Sequence, residues 1–277
     1  MLKFFLWIVL ISFVPNSTHA ARLLEGPYQS LPSSWQNLEK FNTPQKSSFD
    51  DVQVFALCTG YISINGSVPN PDFVWLIKSP RGNYLVDTGL SDHVRSRGYF
   101  RGVSAGVFRK KFTIYNYPEN HLTLQLKKLG VEPTSLNGIL LSHAHFDHIG
   151  NIEELSQVPV LITAQEFAQV SGDAQLRGYM KGTKELLSNS PLDQISIQTF
   201  ESHAVNAELT LLRTDLHTKG HQMVLLKTKN FSVLFTGDTS VPNLENGSPV
   251  RAFLGHFVDL SKTILLYNHD QALNISN

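Results

Sequence analysis

Leu140-Leu141-Ser142-His143-Ala144-His145-Phe146-Asp147-His148-Ile149-Gly150 carries the densest chemistry in the chain. Positions 143 to 148 hold three histidines and one aspartate, directly after the apolar run Ile139-Leu140-Leu141. A short apolar run bounded by turn residues reads as a buried strand, so the cluster sits at a strand end. Polar groups gathered there must be paired or coordinated, because burying them without partners costs several kcal/mol. Imidazole and carboxylate delivered together are the ligand set of zinc and related first-row metals. The stretch therefore reads as part of a metal site, which the rest of the chain has to complete.

On its N-terminal side, Gly138 to Leu141 is the strand that delivers the cluster. Before it, Pro118 to Gly130 reads as a helix: Leu122, Leu126 and Leu129 share a face, Lys127 and Lys128 occupy the last turn, and Gly130 stops it. Strands are expected at Val52 to Leu57, Phe73 to Lys78 and Tyr84 to Val86, the last ending in Asp87-Thr88-Gly89. Leu90 to Tyr117 and Ser171 to Pro191 lack clear periodicity. The first carries Arg95, Arg97, Arg101, Arg109, Lys110 and Lys111, which read as a solvated loop, with contact to an anionic substrate as the alternative.

On its C-terminal side, Gly150 to Leu155 opens a short helix, Val158 to Thr163 is a strand, and Ala164 to Val170 is helical. Further strands are expected at Ile195 to Phe200, Leu209 to Arg213, Met223 to Lys227, Phe231 to Phe235 and Thr263 to Tyr267, with a helix over Arg251 to Leu260. Two groups of strands with helices between them imply an α/β sandwich. Three polar turns flank these strands: His217-Thr218-Lys219-Gly220-His221, Thr236-Gly237-Asp238-Thr239 and Asn268-His269-Asp270. Strand-end turns are where α/β proteins gather their sites.

The N-terminus has a different character. Met1-Leu2-Lys3 precedes an apolar run from Phe4 to Val14, then Pro15 and the small-residue stretch Thr18-His19-Ala20. This pattern predicts a secretory signal peptide over residues 1–20, cleaved after Ala20, and hence a secreted or periplasmic protein. The apolar run falls short of the roughly 20 residues that span a bilayer, so no membrane attachment is expected after cleavage. Residues 21–51, rich in Pro, Ser, Asn and Gln, read as an extended lead-in, and residues 52–277 as the domain.

An apolar content of 42% with 17% charged residues places the chain among globular proteins rather than disordered ones. Lys plus Arg and Asp plus Glu balance at 23 each with no basic stripe, which argues against a nucleic-acid partner. Cys58, the single cysteine, reads as a small buried strand residue.

The order His-x-His-x-Asp-His, Gly-His, Gly-Asp, His, with the preceding Asp87-Thr88-Gly89 turn, resembles the metallo-β-lactamase superfamily from about Phe73 to Asp270. Within it the motif set looks most like the N-acyl homoserine lactonase branch. The resemblance implies an αββα sandwich with two divalent metal ions, zinc foremost, at one edge of the sheets. Carried over, His143, His145 and His221 bind one ion, Asp147, His148 and His269 the other, and Asp238 bridges them. His217 takes a supporting role, and Asp87 orients a ligand histidine. His93, His121, His203 and His256 match nothing in the pattern, and Phe146 reads as loop packing.

The chemistry the resemblance implies is a metal-bridging hydroxide attacking a lactone, ester or amide carbonyl of a small-molecule substrate, with Asp147 passing a proton to the leaving group. True β-lactamases of this fold carry cysteine or serine at the position of Asp238, whereas lactonases and hydroxyacylglutathione hydrolases keep aspartate. β-Lactam hydrolysis and a phosphodiesterase-type reaction are the alternatives, and from another class a binding module that has lost catalysis. Lys219 stands where the family has proline, and Ser240-Val241 where lactonases carry a tyrosine.

Overall fold

A computed structural model describes residues 29–95, 99, 110–170, 179, 182–239 and 248–267. The signal-peptide stretch, parts of the two irregular segments, Ser240-Val241 and His269 lie outside the described residues.

The chain builds two sheets. A first group of strands, β1 (Gln45–Phe49), β2 (Val52–Ile64), β3 (Asn70–Ser79) and β4 (Gly82–Val86), runs as an antiparallel meander. Strand β5 (Phe112–Tyr115) adds antiparallel to β2. After helix α1 (Leu122–Lys128), strands β6 (Leu136–Leu140), β7 (Val160–Thr163) and β8 (Leu192–Ile195) extend the sheet in parallel from β4, with helices α2 (Ala164–Val170) and α3 (Thr183–Ser188) in the crossover between β7 and β8. The second sheet is ordered β13-β12-β11-β10-β9. Its strands are β9 (Ser202–Ala204), β10 (Leu209–Arg213), β11 (Gln222–Lys227), β12 (Ser232–Phe235) and β13 (Ile264–Leu266), with helix α4 (Pro249–Gly255) between the last two.

The period-2 alternation of side chains sorts these residues into three apolar layers. Val54, Ala56, Cys58, Phe73, Trp75 and Ile77 point from the first sheet into a core shared with Leu209, Leu211, Val224, Leu226, Val233 and Phe235 of the second. Their neighbours Phe55, Leu57, Val74 and Leu76 point the other way, onto Leu122 and Leu126 of α1 and Leu187 of α3. On the far face of the second sheet, Leu212, Met223, Leu225 and Leu234 meet Val250, Phe253 and Leu254 of α4. Helix, sheet, sheet, helix is the αββα sandwich expected from the sequence. Trp75 and Phe235 join the sheets with ring centroids 5.7 Å apart.

Several local expectations need correction. The lead-in is not a mere wrap: Ser33–Asn42 forms a 3-10 helix, and β1 pairs with β2 from Gln45↔Ala56 to Phe49↔Val52. Its Leu38, Phe41 and Phe49 lie in the shared core, so the boundary at residue 51/52 falls inside a hairpin. The helix expected over Pro118 to Gly130 breaks at His121 into a 3-10 turn, Pro118–Asn120, and α1. There the Asn120 side chain accepts from the Tyr117 N–H and donates to the Cys58 carbonyl, bonds that compete with continued helix. The strand expected at Ile195 to Phe200 instead spans Leu192–Ile195, and Phe200 sits in a turn at φ 63°. Cys58 is buried as expected, and burial pushes its thiol up to about 12, which leaves it inert at neutral pH.

The site is fixed by where strands end. In β4 and β6 Val86 pairs with Leu140, so Asp87 and Ser142 emerge side by side. The start of β11 is tied across to the same edge, with Gln222 N–H donating to the Ser142 carbonyl at 2.9 Å and Gln222 Nε2 to the Leu141 carbonyl at 2.8 Å. Core substitution should therefore be far costlier than surface substitution. Leu76→Ala, at a fully buried position, is expected to cost about 2–5 kcal/mol, and Leu124→Ala, on the exposed side of α1, within about 0.5 kcal/mol. Urea unfolding of both variants checks this.

Candidate metal centre

Asp87 is the first residue beyond β4, fully buried and held at φ 64°, a region costly for a residue with a Cβ. Its carboxylate explains the conformation. Oδ1 accepts the Ser142 N–H at 2.7 Å, and Oδ2 accepts the Ser142 hydroxyl at 2.8 Å. Oδ2 also lies 2.8 Å from His148 Nδ1. A carboxylate on one ring nitrogen makes that nitrogen the donor and leaves the other, Nε2, to face a ligand position.

The cluster is held as a compact loop, with the His148 and Ile149 N–H groups both donating to the His145 carbonyl. Around it two groups of ligand atoms converge. His143 Nε2 and His217 Nε2 each lie 3.0 Å from His145 Nδ1. These three histidines form one group, and His143, His148 and Asp238 the other, with the atoms of each within 4.8 Å of one another. Asp238, three residues past the end of β12 at Phe235, reaches both. Its Oδ1 is 3.1 Å from His148 Nε2, and its Oδ2 is 3.5 Å from His217 Nε2. Asp147 stands beside them, with Oδ1 3.9 Å from His148 Nε2.

The turn before β11 brings His217 and His221 to different places. His217, at the tip of the turn before β11, is the residue brought to His143 and His145. His221 belongs to neither group; its ring centroid is 5.6 Å from that of His143. Its Nδ1 meets the Thr214 hydroxyl at 3.0 Å, and its carbonyl accepts the Thr214 and Asp215 N–H groups. The other nitrogen, Nε2, is buried without a hydrogen-bond partner, underneath Gly237. A Cβ at position 237 would lie 2.6 Å from it, and φ there is 55°, so glycine is what lets the Asp238 turn close down on His221. The sequence signal was present: His221 directly precedes a strand buried along most of its length, whereas His217 occupies a turn apex.

A family model for the metallo-beta-lactamase superfamily matches residues 68–265, the span that contains both ligand groups. The chain belongs to the metallo-beta-lactamase superfamily. An N-acyl homoserine lactonase from Bacillus sp. is 30% identical over 217 residues, covering 72% of this chain and 81% of the relative, and one from Bacillus cereus gives the same values. A solved N-acyl homoserine lactone hydrolase, with N-hexanoyl-L-homoserine bound at its catalytic metal center, superposes with TM-score 0.64 at 24% identity, covering 83% of this chain and 94% of that one. Like those relatives, this superfamily member is a metal-dependent hydrolase.

The donor set fits that assignment. Burial, reinforced by the His148, His145, His217 and His221 rings, holds His143 well below the usual imidazole range. Burial likewise holds His145 at about 4 and His221 at about 3. His143 and His145, kept neutral with their nitrogens 3.0 Å apart, are poised for a cation rather than for one another. Burial also opposes charge on His148, but the Asp238, Asp87 and Asp147 carboxylates outweigh it and raise that ring well above its usual range. The remaining positions are supporting ones. Phe146 packs on Phe112 with centroids 6.1 Å apart, and Arg95 donates to the Ile114 carbonyl and to Asn116 Oδ1 rather than facing the metal cluster.

Unfolded histidine titrates near 6.5, above the folded values of about 4 for His145 and about 3 for His221. Between these limits the unfolded chain binds more protons, so stability falls as pH drops through that window. His148 is shifted upward, and its contribution is already complete below about 6.5. The chelator-treated protein is therefore expected to show a lower urea midpoint at about pH 5 than at about pH 7. A midpoint that is flat or rises on acidification contradicts these histidine environments.

Proposed function

We propose that this hydrolase is an exported dinuclear lactonase, acting on small cyclic esters of the N-acyl homoserine lactone class. The observation that carries the reading is the Asp238 carboxylate, whose two oxygens face His148 Nε2 at 3.1 Å and His217 Nε2 at 3.5 Å. One carboxylate between two ligand groups is the arrangement of a bridging ligand. His143, His145 and His217 would hold one ion. Asp147 and His148 would hold the second, for which the family resemblance also implies His269. Zinc suits this nitrogen-and-carboxylate set. Ions bound there supply Lewis acidity, which brings the pKa of water towards about 7 and polarises a carbonyl.

The protein's own groups do the rest. Water-derived hydroxide adds to the lactone carbonyl carbon, the ring C–O bond breaks, and the leaving oxygen takes a proton to give a hydroxy acid. Asp147, nearly buried and beside the His148 nitrogen, is the group that holds and delivers that proton. No covalent enzyme intermediate is needed, and the only cysteine is buried in β2 with its thiol pushed up to about 12. The roughly 30% identical lactonases and the aspartate at position 238 favour a lactone over a β-lactam. Export rests on the Phe4 to Val14 run and the Thr18-His19-Ala20 stretch, with cleavage after Ala20.

Purified mature protein, loaded with zinc, should hydrolyse N-acyl homoserine lactones ahead of aryl esters and β-lactams. His217→Ala should lower kcat/KM by more than the roughly 10–100-fold that loss of an outer partner of a metal ligand costs. Wild-type rates in His217→Ala, or a preference for β-lactams, would overturn this function.

A further inference from the structure

Glu166 is a fully buried carboxylate in the first turn of α2, a member of neither ligand group, and no motif marks it. Its surroundings are specific. Oε1 accepts the Ala144 N–H at 2.9 Å and the Tyr179 hydroxyl at 3.0 Å. Oε2 accepts the Thr218 hydroxyl at 2.5 Å. Ala144 lies between His143 and His145, and Thr218 follows His217. All three histidines of the first ligand group are thus one residue from a Glu166 hydrogen bond. The two segments come from chain regions more than 70 residues apart and from different sheets, and this side chain clamps them together.

The backbone is built for the same closure. The Thr163 hydroxyl donates to the Gly220 carbonyl at 2.7 Å while accepting the Glu166 N–H at 3.1 Å. Gly220 has φ 132°, and a Cβ there would lie 2.3 Å from the Glu166 nitrogen. Only glycine lets the His217 turn sit this close to the start of α2. Tyr179, held by Glu166, lays its ring 5.1 Å from that of His145. A buried carboxylate with three donors is expensive to place unless each bond is made, and here each bond fixes a segment that carries or touches a ligand histidine.

We propose that Glu166 is a positioning residue that sets the spacing of His143, His145 and His217 by clamping Ala144 to Thr218, and so sets the metal affinity of that three-histidine group. The proposal rests on the dinuclear reading above. It predicts that the bonds of Glu166, and not merely its bulk, control zinc binding.

The test is zinc titration of the full mature chain by chelator competition, with the melting temperature of the metal-free protein measured alongside. Wild type, Glu166→Leu, Glu166→Gln, Thr218→Val and His217→Ala are compared. Glu166→Leu should weaken one of two zinc equivalents by about 10–100-fold and leave the other unchanged. Thr218→Val, which removes only the Oε2 bond, should weaken the same equivalent by a smaller factor, and Glu166→Gln should fall between Glu166→Leu and wild type. If Glu166→Leu does not fold, the Thr218→Val result decides. Two wild-type equivalents, one of them lost in His217→Ala, with wild-type affinities in Glu166→Leu and Thr218→Val, would overturn the Glu166 proposal alone. A wild type that binds no zinc would overturn the dinuclear reading and this proposal with it.

Discussion

The arrangement depends on the buried carboxylate of Asp87. It stands at the end of β4, in backbone geometry that costs on the order of 1–3 kcal/mol for a residue with a side chain. In return it takes the Ser142 N–H, the Ser142 hydroxyl and His148 Nδ1. Hydrogen bonds to a charged group are each worth about 1.5–3 kcal/mol, so the set offsets the strain. The effect is to lock the first turn after β6 to the end of β4 and to aim His148 Nε2 outward. Without it, a loop of histidines at a sheet edge would have no fixed ring orientation.

From that anchor the rest follows by contact between the sheets. Gln222 ties β11 to the Leu141 and Ser142 carbonyls, which brings the His217 turn over the cluster. Gly237 allows the Asp238 turn to descend onto His221, so that one carboxylate reaches both ligand groups. Glu166 closes the opposite side, between Ala144 and Thr218. Each ligand histidine therefore stands on a hydrogen-bonded support from another part of the chain, the condition under which a metal site keeps its geometry.

Much of this was legible in the residues. The continuous apolar runs, such as Phe73 to Ile77 and Val233 to Phe235 of β12, announced themselves because both of their faces are buried. The α/β sandwich and the strand that delivers the His143 to His148 cluster followed from the same signals, and the αββα order from the family resemblance. What escaped notice lay at sheet edges. The outer residues of β8, Asp193 and Gln194, are exposed and polar, and β9 is three residues with no fully buried side chain, so neither shows a period. In the site, sequence adjacency does not encode depth: His221 follows a glycine and precedes a strand, and the strand carries it under the Asp238 turn, while the apex residue His217 reaches the cluster. Glu166 was illegible for a different reason. Its partners, Ala144 and Thr218, come together only through the meeting of two sheets, which no local pattern encodes.

The most direct measurement of the central claim is a crystal structure of the zinc-loaded protein with an anomalous difference map recorded at the zinc edge. The account predicts two peaks, one contacted by His143 Nε2, His145 Nδ1 and His217 Nε2, the other by Asp147 and His148 Nε2, with Asp238 touching both. No peak at this edge, or a peak bound by His221 with His217 turned away, would contradict it.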